Sequence, residues 1–341
     1  MCHRSLFPYP MTMHAFQPES FAGLTPDIVI AALEECGFYS DGRLLALNSY
    51  ENRVYQVGME EGPPLVVKFY RPRRWSDEAI LEEHRFVGAL AEQEIPAVPA
   101  LKLGEGTLRE HAGFRFAVFP RHGGRAPEVD DSQTLEWLGR FIGRIHAVGA
   151  AQSYAHRPVL DLDSFGETPY RYLLEQGFIP GDLVEAYRSV AKQALEGVQR
   201  CYERAGDVAM LRLHGDCHVG NVLWTDAGPH FVDFDDSRTG PAIQDLWMLL
   251  SGERQDMVRQ LSDLLAGYED FCEFNERELH LIEALRTLRL IHYSAWLASR
   301  WHDPAFPAAF PWFNTQRYWQ DRVLELREQV ALMQEPPLWP L

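Results

Sequence analysis

The sequence predicts an α+β protein of two lobes, in which a lobe built on an antiparallel sheet precedes a mostly helical lobe. Three observations support this prediction. The first third of the chain alternates apolar and polar residues between short turns, whereas apolar residues recur at helical spacing after about residue 125. The chain has 341 residues, of which 46% are hydrophobic, so it is long enough to bury large cores in two or so domains.

Sheet-like segments dominate the first lobe. The stretch "RLLALNSYENRVYQVGMEEGPPLVVKFYRP" predicts two or three strands around turns at Ser49–Asn52 and Glu61–Pro64. Ser76, followed by two acidic residues, is typical of a helix start, and we expect that helix to continue to about Glu92. The segment "FRFAVFP" (114–120) predicts one more strand.

The helical part begins with "TLEWLGRFIGRIHAVG", whose apolar residues repeat every three to four positions. Further helices are predicted near 180–205 and within 241–334. We therefore expect a flexible N-terminal tail over 1–20, a first lobe over 21–121 and a helical second lobe over 122–341.

Charge and cysteine content exclude several classes of function. A net charge of −17 and a pI near 5.2 argue against binding to nucleic acid or to an anionic membrane surface, although cationic substrates are not excluded. The five cysteines are widely spread without a CxxC pair, which indicates neither a disulfide framework nor a zinc knuckle. No signal peptide or membrane span is recognisable. We expect a cytoplasmic monomer.

The densest cluster of chemically active side chains is "HGDCHVGN", residues 214–221. His214, Cys217 and His218 are possible zinc ligands, but their spacing fits no known ligand pattern and no second cluster supplies a fourth ligand. Nothing else in the segment marks Cys217 as a covalent nucleophile. Neither zinc binding nor nucleophilic catalysis is therefore favoured.

The segment that follows, "NVLWTDAGPHFVDF", predicts a β-hairpin. The hairpin places Asn221 at the start of one strand and Asp233 at the end of the other, so both side chains can converge beside Asp216. Such a set of oxygen atoms suits Mg²⁺, which takes its other ligands from water and phosphate. Taken singly, each residue is explained as well by turn formation, but the spacing of the three favours a metal site.

The pattern H-G-D-x-x-x-x-N followed by two apolar residues and Asp resembles the catalytic loop of the protein-kinase-like phosphotransferases. The resemblance implies a two-lobed protein-kinase-like fold that uses ATP and Mg²⁺. It further implies that Asp216 is the catalytic base, that Asn221 binds the metal and that Asp233 joins the metal to the nucleotide phosphates. Asp235 and Asp236 are interpreted as solvent-facing turn residues, and a role for Asp235 at the metal is left open.

A kinase also needs a strand lysine that holds phosphate oxygens and a helix glutamate that positions this lysine. Lys68, within "PLVVKFYRP", is the candidate lysine, although a surface lysine on an edge strand would give the same pattern. Glu83 shares the apolar stripe of its helix with Ile80 and Phe86, whereas Glu82 is expected to point away. We therefore assign the glutamate role to Glu83.

The remaining nucleotide contacts are expected from two loops. The loop "NSYENR" contains no GxGxxG, so its backbone amides, with the hydroxyl of Ser49, would cover the phosphates less closely than a glycine-rich loop does. The connector after "FAVFP", with Phe119 and Arg121, is expected to hold adenine. Asp245, one turn into "GPAIQDLWMLL", is expected to bind the backbone of the catalytic loop, although helix N-terminal charge is an alternative explanation.

The second residue of His-Gly-Asp is not the arginine of regulated protein kinases, and the chain has no Ala-Pro-Glu segment, so control by loop phosphorylation is not predicted. Segments such as "LNSYENRVYQ", "LHGDCHVGN" and "LRLIHYSAWLASRW" are similar to the bacterial stress response kinase A (YihE/RdoA-type) family, over residues 47 to 320. That resemblance implies a serine/threonine protein kinase of stress survival with a protein substrate. A kinase of amino alcohols or aminoglycosides, or an inactive nucleotide-binding scaffold, are the alternatives.

Aromatic residues are frequent near the C-terminus, between His292 and Trp319. They either fill the core or line the pocket of the phosphate acceptor. Trp312 and Phe313, in a proline-rich loop, are better candidates for the pocket than the aromatic residues on helices.

Overall fold

The computed structural model describes residues 20–339, which form two compact units. One unit contains the chain up to Asp77 together with Ala100–Arg121, and the other contains Glu78–Pro99 together with the chain from His122 onward. Nearly all of the tail expected over residues 1–20 lies outside the described residues. No helix in the described part is long and apolar enough to cross a membrane.

From residue 20 onward, the first unit contains a short 3₁₀ helix (Phe21–Gly23), one α-helix and an antiparallel sheet, and the sheet is confirmed as predicted. In chain order these elements are α1 (Pro26–Glu34), β1 (Ser40–Ala46), β2 (Arg53–Met59), β3 (Leu65–Phe69), β4 (Arg109–His111) and β5 (Phe114–Pro120). The strand order is β1-β2-β3-β5-β4, and every neighbouring pair is antiparallel. Val29 and Leu33 of α1 pack with Val57, Val67 and Phe116 of the sheet in a separate core.

The second unit is mostly helical. Its helices are α2 (Asp77–Glu92, of which only Asp77 falls in the first unit), α3 (Ser132–Ala150), α4 (Thr168–Glu175), α5 (Val184–Ala205), α6 (Ile243–Trp247), α7 (Arg254–Tyr268), α8 (Ile282–Arg300), α9 (Ala305–Ala309) and α10 (Gln316–Leu332). Two small antiparallel ribbons complete it, one of β6 (Leu211–Leu213) with β9 (Arg238–Gly240), and one of β7 (Val222–Thr225) with β8 (Gly228–Phe231).

Helix α2 belongs to the second unit, whereas the sequence placed residues 78–99 in the first lobe. The apolar face of α2 explains this difference. Phe86, Val87 and Leu90 are buried in the same core as the helices of the second unit. Proximity in the sequence to strand β3 therefore does not decide where this helix packs.

Helices α3 and α7 pack with their backbones in direct contact because glycine occurs at the crossing. A Cβ on Gly139 would lie 1.9 Å from the carbonyl oxygen of Leu264, and one on Gly267 would lie 1.9 Å from that of Glu136. The close approach brings His146, near the end of α3, to Tyr268 at the end of α7, with 3.0 Å between Nδ1 and the hydroxyl oxygen. This pair supports the candidate active site.

The aromatic residues near the C-terminus are mostly core, as one of the two interpretations expected. Trp319 is fully buried and Phe313 is 2% exposed, so the preference for Phe313 as a pocket residue is wrong. Phe313 packs edge-on against Trp301 and Tyr318, which fill the space between the helices. Trp312, at 45% exposed, remains at the surface.

Candidate active site

The backbone of the loop 214–221 is fixed by one buried carboxylate, that of Asp245 on α6. Asp245 Oδ2 accepts from the backbone N–H of His214 at 2.8 Å, and Oδ1 accepts from that of Gly215 at 2.8 Å. Nε2 of His146 lies 3.0 Å from Oδ2, so three groups converge on this carboxylate. The predicted contact between Asp245 and the loop backbone is confirmed.

Gly215 is required by the shape of the loop. Its φ is +87°, and a Cβ at this position would lie 2.2 Å from the carbonyl oxygen of Asp236. An L side chain is therefore disfavoured both by backbone strain and by contact with Asp236. This explains in physical terms why glycine stands where regulated protein kinases have arginine.

His214 holds the loop against the hairpin. Its Nε2 lies 2.9 Å from the carbonyl oxygen of Val232, and its Nδ1 lies 3.4 Å from the backbone N of Asp216. These neighbours fit one tautomer, in which Nε2–H donates to Val232 and Nδ1 accepts from Asp216. The ring also packs on Phe234, with 4.3 Å between the ring centroids.

Asp216, the predicted base, is partly exposed, and an arginine and a histidine lie against its carboxylate. Arg289 Nη1 donates to Oδ1 at 2.7 Å, and His218 Nε2 lies 3.4 Å from Oδ2. Burial by itself raises the pKa of Asp216, but the hydrogen bond from His218 and the charge of Arg289 outweigh burial and hold this pKa well below its ordinary value. The carboxylate is therefore ionised at neutral pH, as a proton acceptor must be.

Asn221 is oriented by the same loop. Its Nδ2 donates to the carbonyl oxygen of Asp216 at 2.9 Å and lies 3.4 Å from Asp216 Oδ2. Because the amide nitrogen faces Asp216, the amide oxygen points the other way, and no donor among residues 20–339 bonds to it. An oxygen in this position fits the chemistry of a Mg²⁺ ligand.

Asp233 follows the predicted hairpin, which is confirmed as β7 and β8. The backbone N–H of Val232 donates to the carbonyl oxygen of Asn221 at 3.0 Å, so Asp233 comes one residue after the position opposite Asn221. Asp233 is exposed and has a left-handed backbone with φ of +61° and ψ of +62°. Asn221 thus stands just before β7 and Asp233 shortly after β8, and a carboxylate oxygen is, like an amide oxygen, a ligand type that suits Mg²⁺.

Two of the neighbouring residues differ from expectation. Asp235 was expected to face solvent but is only 3% exposed, in the short 3₁₀ turn Phe234–Asp236. Asp236 is partly buried, and its carboxylate pairs with Arg238 at 2.6 Å. The turn after Asp233 is therefore packed into the unit.

Arg157 is a buried residue of the site that sequence reasoning missed. Its Nη1 donates to the carbonyl oxygens of Asp235 at 2.8 Å and Ser237 at 2.7 Å. Its Nη2 donates to Glu83 Oε2 at 3.0 Å, and its Nε to the carbonyl oxygen of Ala79 at 2.9 Å. Arg157 thereby connects helix α2 to the turn that follows Asp233.

Glu82 and Glu83 are both buried, so the prediction that Glu82 points away from the core is wrong. Glu82 accepts three backbone N–H groups, from residues 155, 156 and 157, at 2.7 to 3.1 Å. The assignment of Glu83 as the partner of Lys68 stays a prediction, since the two residues belong to different compact units.

The remaining predicted nucleotide residues lie in the first unit. Lys68 is on β3, opposite Val54 of β2 and Ala117 of β5, and is 6% exposed. It is therefore on a central strand, and the alternative of an edge-strand surface lysine is wrong. Its Nζ lies 5.3 Å from the centre of the Tyr70 ring.

Ser49 lies in the loop between β1 and β2, a loop held by Arg71. Arg71 Nη2 donates to the carbonyl oxygen of Tyr50 at 3.0 Å, and its backbone N–H donates to Asn52 Oδ1 at 3.0 Å. Hydrogen bonds from Arg71 and to Asn52 thus shape this loop, which contains no glycine. Phe119 is partly buried on β5, and Arg121, just after it, is exposed and donates to Gln56 Oε1 at 3.2 Å.

The two alternatives for the loop 214–221 were a zinc site and a nucleophilic Cys217, and its geometry favours neither. Among residues 20–339, no three His, Cys, Asp or Glu side chains form a group that could hold a metal ion. Cys217 is 1% exposed, and burial raises the pKa of its thiol well above the ordinary value, so it is a poor nucleophile.

Comparison with known proteins places these features in a family. Residues 43–282 match the model of the phosphotransferase enzyme family (APH). The chain is 45% identical to stress response kinase A of Escherichia coli K12 over 94% of this chain and 96% of that protein. It is 44% identical, over the same shares, to a protein of Salmonella typhimurium named serine/threonine protein kinase RdoA.

Solved structures share the fold. An amicoumacin kinase, hAmiN, determined in complex with AMP-PNP, Ca²⁺ and Ami, superposes with a TM-score of 0.70 at 20% identity, covering 92% of this chain and 96% of that one. A microcompartment-associated aminopropanol kinase gives 0.67 at 19% identity, covering 90% and 96%. The chain belongs to the phosphotransferase enzyme family, in the group of its stress response kinase A relatives.

Proposed function

We propose that this kinase transfers the γ-phosphoryl group of ATP to serine or threonine hydroxyls of a protein, itself included, in the cytoplasm and in the presence of Mg²⁺. The observation that carries the proposal is the loop fixed by Asp245, which holds an ionised Asp216 within 3.4 Å of the Asn221 amide. The name of the Salmonella typhimurium relative, serine/threonine protein kinase RdoA, supports a protein acceptor. The four described cysteines are free thiols, which is consistent with a reducing compartment.

Each residue has a defined task in this mechanism. Asp216 accepts the proton of the acceptor hydroxyl as its oxygen bonds to the γ-phosphorus and the bond to the β-phosphate oxygen breaks. Asn221 and Asp233 would hold the metal ion. Bound there, Mg²⁺ would neutralise charge on the phosphate oxygens.

The first unit would supply the nucleotide contacts. Lys68, positioned by Glu83, would pair with phosphate oxygens, and the loop at Ser49 would cover them. The connector containing Phe119 and Arg121 would hold adenine. Each of these roles is the one that the resemblance to protein-kinase-like phosphotransferases implies for that residue.

Labelled ATP tests the proposal. Pure protein with γ-labelled ATP and Mg²⁺ is expected to label itself and an added protein acceptor. Asp216→Ala should lower this transfer by about 10²–10⁴-fold while ATP still binds, and Asp233→Ala should abolish it. Asp226→Ala, in the exposed turn of the same hairpin, is the matched control and should keep wild-type activity.

Other outcomes separate the alternatives. Full activity of Asp233→Ala would contradict the assignment of the metal site. Turnover with amino alcohols or aminoglycosides but not with protein would favour the small-molecule kinase, a class to which two structural neighbours belong by name. Nucleotide binding without any transfer would indicate a scaffold without activity.

A further inference from the structure

A cavity of about 550 Å³ lies in the second unit at the side of Asp216 where Arg289 binds. Four of its lining residues come from α8 at positions i, i+3, i+4 and i+7, and therefore form one face of that helix. The lining consists of Trp247, Arg286, Arg289, Leu290, Tyr293 and Gln329. This cavity, the arginine cavity, is large enough for a small ligand or for a few residues of a peptide.

The charged groups that line the cavity are cationic, and each is paired with one carboxylate. The chain carries a net charge of −17, yet both charged residues that line this cavity are arginines. Arg286 pairs with Glu283 at 3.0 Å and lies 5.5 Å from the centre of the Trp247 ring, so it is fixed in place. Its side chain is 19% exposed, which leaves the charge only partly screened by solvent.

Arg289 uses only part of its hydrogen-bonding capacity. Its Nη1 donates to Asp216 Oδ1 at 2.7 Å and lies 4.0 Å from the sulfur of Met248. No acceptor in the described part of the chain bonds to its Nε or Nη2, and the side chain is 42% exposed. A guanidinium has five N–H groups, so Arg289 can bind a second carboxylate or phosphate while it stays at Asp216.

We propose that the arginine cavity binds an acidic side chain of the acceptor protein, so that the preferred substrate is a serine or threonine flanked by aspartate or glutamate. The inference rests on the proposed function, because it concerns the acceptor of the same phosphoryl transfer. Arg289 contacts the base directly, and one extended residue spans about 3.3–3.6 Å, so the acidic residue lies within one or two positions of the hydroxyl. Aminoglycosides and amino alcohols are cations, and the N–H groups of Arg289 that remain for a ligand offer them no hydrogen-bond acceptor.

Three matched peptides test this inference. Each contains a single serine in the same neutral sequence, with aspartate, asparagine or lysine at the two positions on either side. We expect kcat/KM for the aspartate peptide to exceed that for the asparagine peptide by roughly tenfold or more, because hydrogen bonds to charged groups contribute that much. The lysine peptide should be the poorest substrate, and the preference should shrink at high salt.

Variants connect the preference to the cavity. Arg286→Gln should reduce the preference, which is the ratio of kcat/KM for the aspartate peptide to kcat/KM for the asparagine peptide, by several-fold. Arg286→Lys should keep part of this preference. Arg188→Gln, which removes an exposed arginine on α5 that pairs with Glu185, is the control and should leave the ratio unchanged. Self-labelling by ATP is measured in every variant.

The outcomes separate the inference from the function on which it rests. Equal kcat/KM values for the three peptides, a preference for lysine, or transfer to none of them while the protein still labels itself would overturn the inference alone. An unchanged aspartate-to-asparagine ratio in Arg286→Gln would overturn it as well. If the wild-type protein transferred phosphate to none of the peptides and did not label itself, both the proposed function and the inference would be contradicted.

Discussion

Gly215 lies directly against Asp236, because a Cβ on residue 215 would come within 2.2 Å of the carbonyl oxygen of Asp236. The substitution Gly215→Ala should therefore move the loop as well as strain it at φ of +87°. We expect a loss of about 1–3 kcal/mol in the free energy of unfolding and a clear fall in kcat.

Urea unfolding and steady-state kinetics measure both effects. Gly181→Ala is the control, since nothing lies within 4 Å of a Cβ there. Wild-type kcat in Gly215→Ala would show that the close contact is not needed for activity.

Asp245→Asn tests whether the buried carboxylate positions the catalytic loop. An amide has only one acceptor oxygen, whereas Asp245 uses both of its oxygens for the backbone N–H groups of His214 and Gly215. The loop should shift, and we expect kcat to fall by about 10²-fold with a smaller change in KM for ATP. Asp130→Asn, at an exposed position, is the control. A large change in KM with unchanged kcat would argue against a positioning role.

Arg289→Gln should alter the pH dependence of activity. The charge of Arg289 helps to hold the pKa of Asp216 below its ordinary value, so its removal should raise this pKa. Because Asp216 must be ionised to accept a proton, the acid limb of log kcat/KM should move to higher pH in the variant. Substrate titration is the same for both proteins and cancels in the comparison. Superimposable acid limbs would contradict the expectation that Arg289 sets the pKa of a catalytic Asp216.

Glu278 should make stability depend on pH. Burial raises its pKa from 4.5 to about 7, although its carboxylate also accepts the backbone N–H of Ile243 at 2.9 Å. The folded state then binds more protons than the unfolded state between these pH values, so the free energy of unfolding should fall by up to about 3 kcal/mol as pH rises from 4.5 to 7.

Urea unfolding at pH 5 and pH 7.5 checks this expectation. Glu278→Gln should remove most of the fall, because glutamine does not titrate, and its amide oxygen can still accept the N–H of Ile243. Glu276→Gln, at an exposed position, should retain it. The same pH dependence in Glu278→Gln as in wild type would disprove the assignment.

Local patterns in the sequence are sufficient to predict much of the fold. The strand predicted over 114–120 has those bounds, and the hairpin after Asn221 forms as expected. Both depend on alternation and turn residues within a few positions, which short-range backbone preferences determine. The spacing of Asp216 and Asn221 is likewise local, and their side chains do meet.

Contacts between distant parts of the chain could not be predicted in the same way. Arg289 and Asp216 are 73 positions apart, and Arg157 and Glu83 are 74 apart. No periodicity in the sequence signals such pairs. Helical spacing correctly placed Glu83 inside, but Glu82 is buried by a loop that covers the flank of the helix, and a helical wheel contains no information about that loop.

Cys217 occupies the centre of the catalytic loop, between Asp216 and His218, and its buried thiol stays protonated at neutral pH. Peroxides and alkylating reagents attack the thiolate, so they should modify the partly buried Cys36 and Cys272 before they reach this residue. The loop thus contains a sulfur atom that oxidants reach later than the two partly buried thiols, and chemical damage to it would require prior opening of the surrounding core.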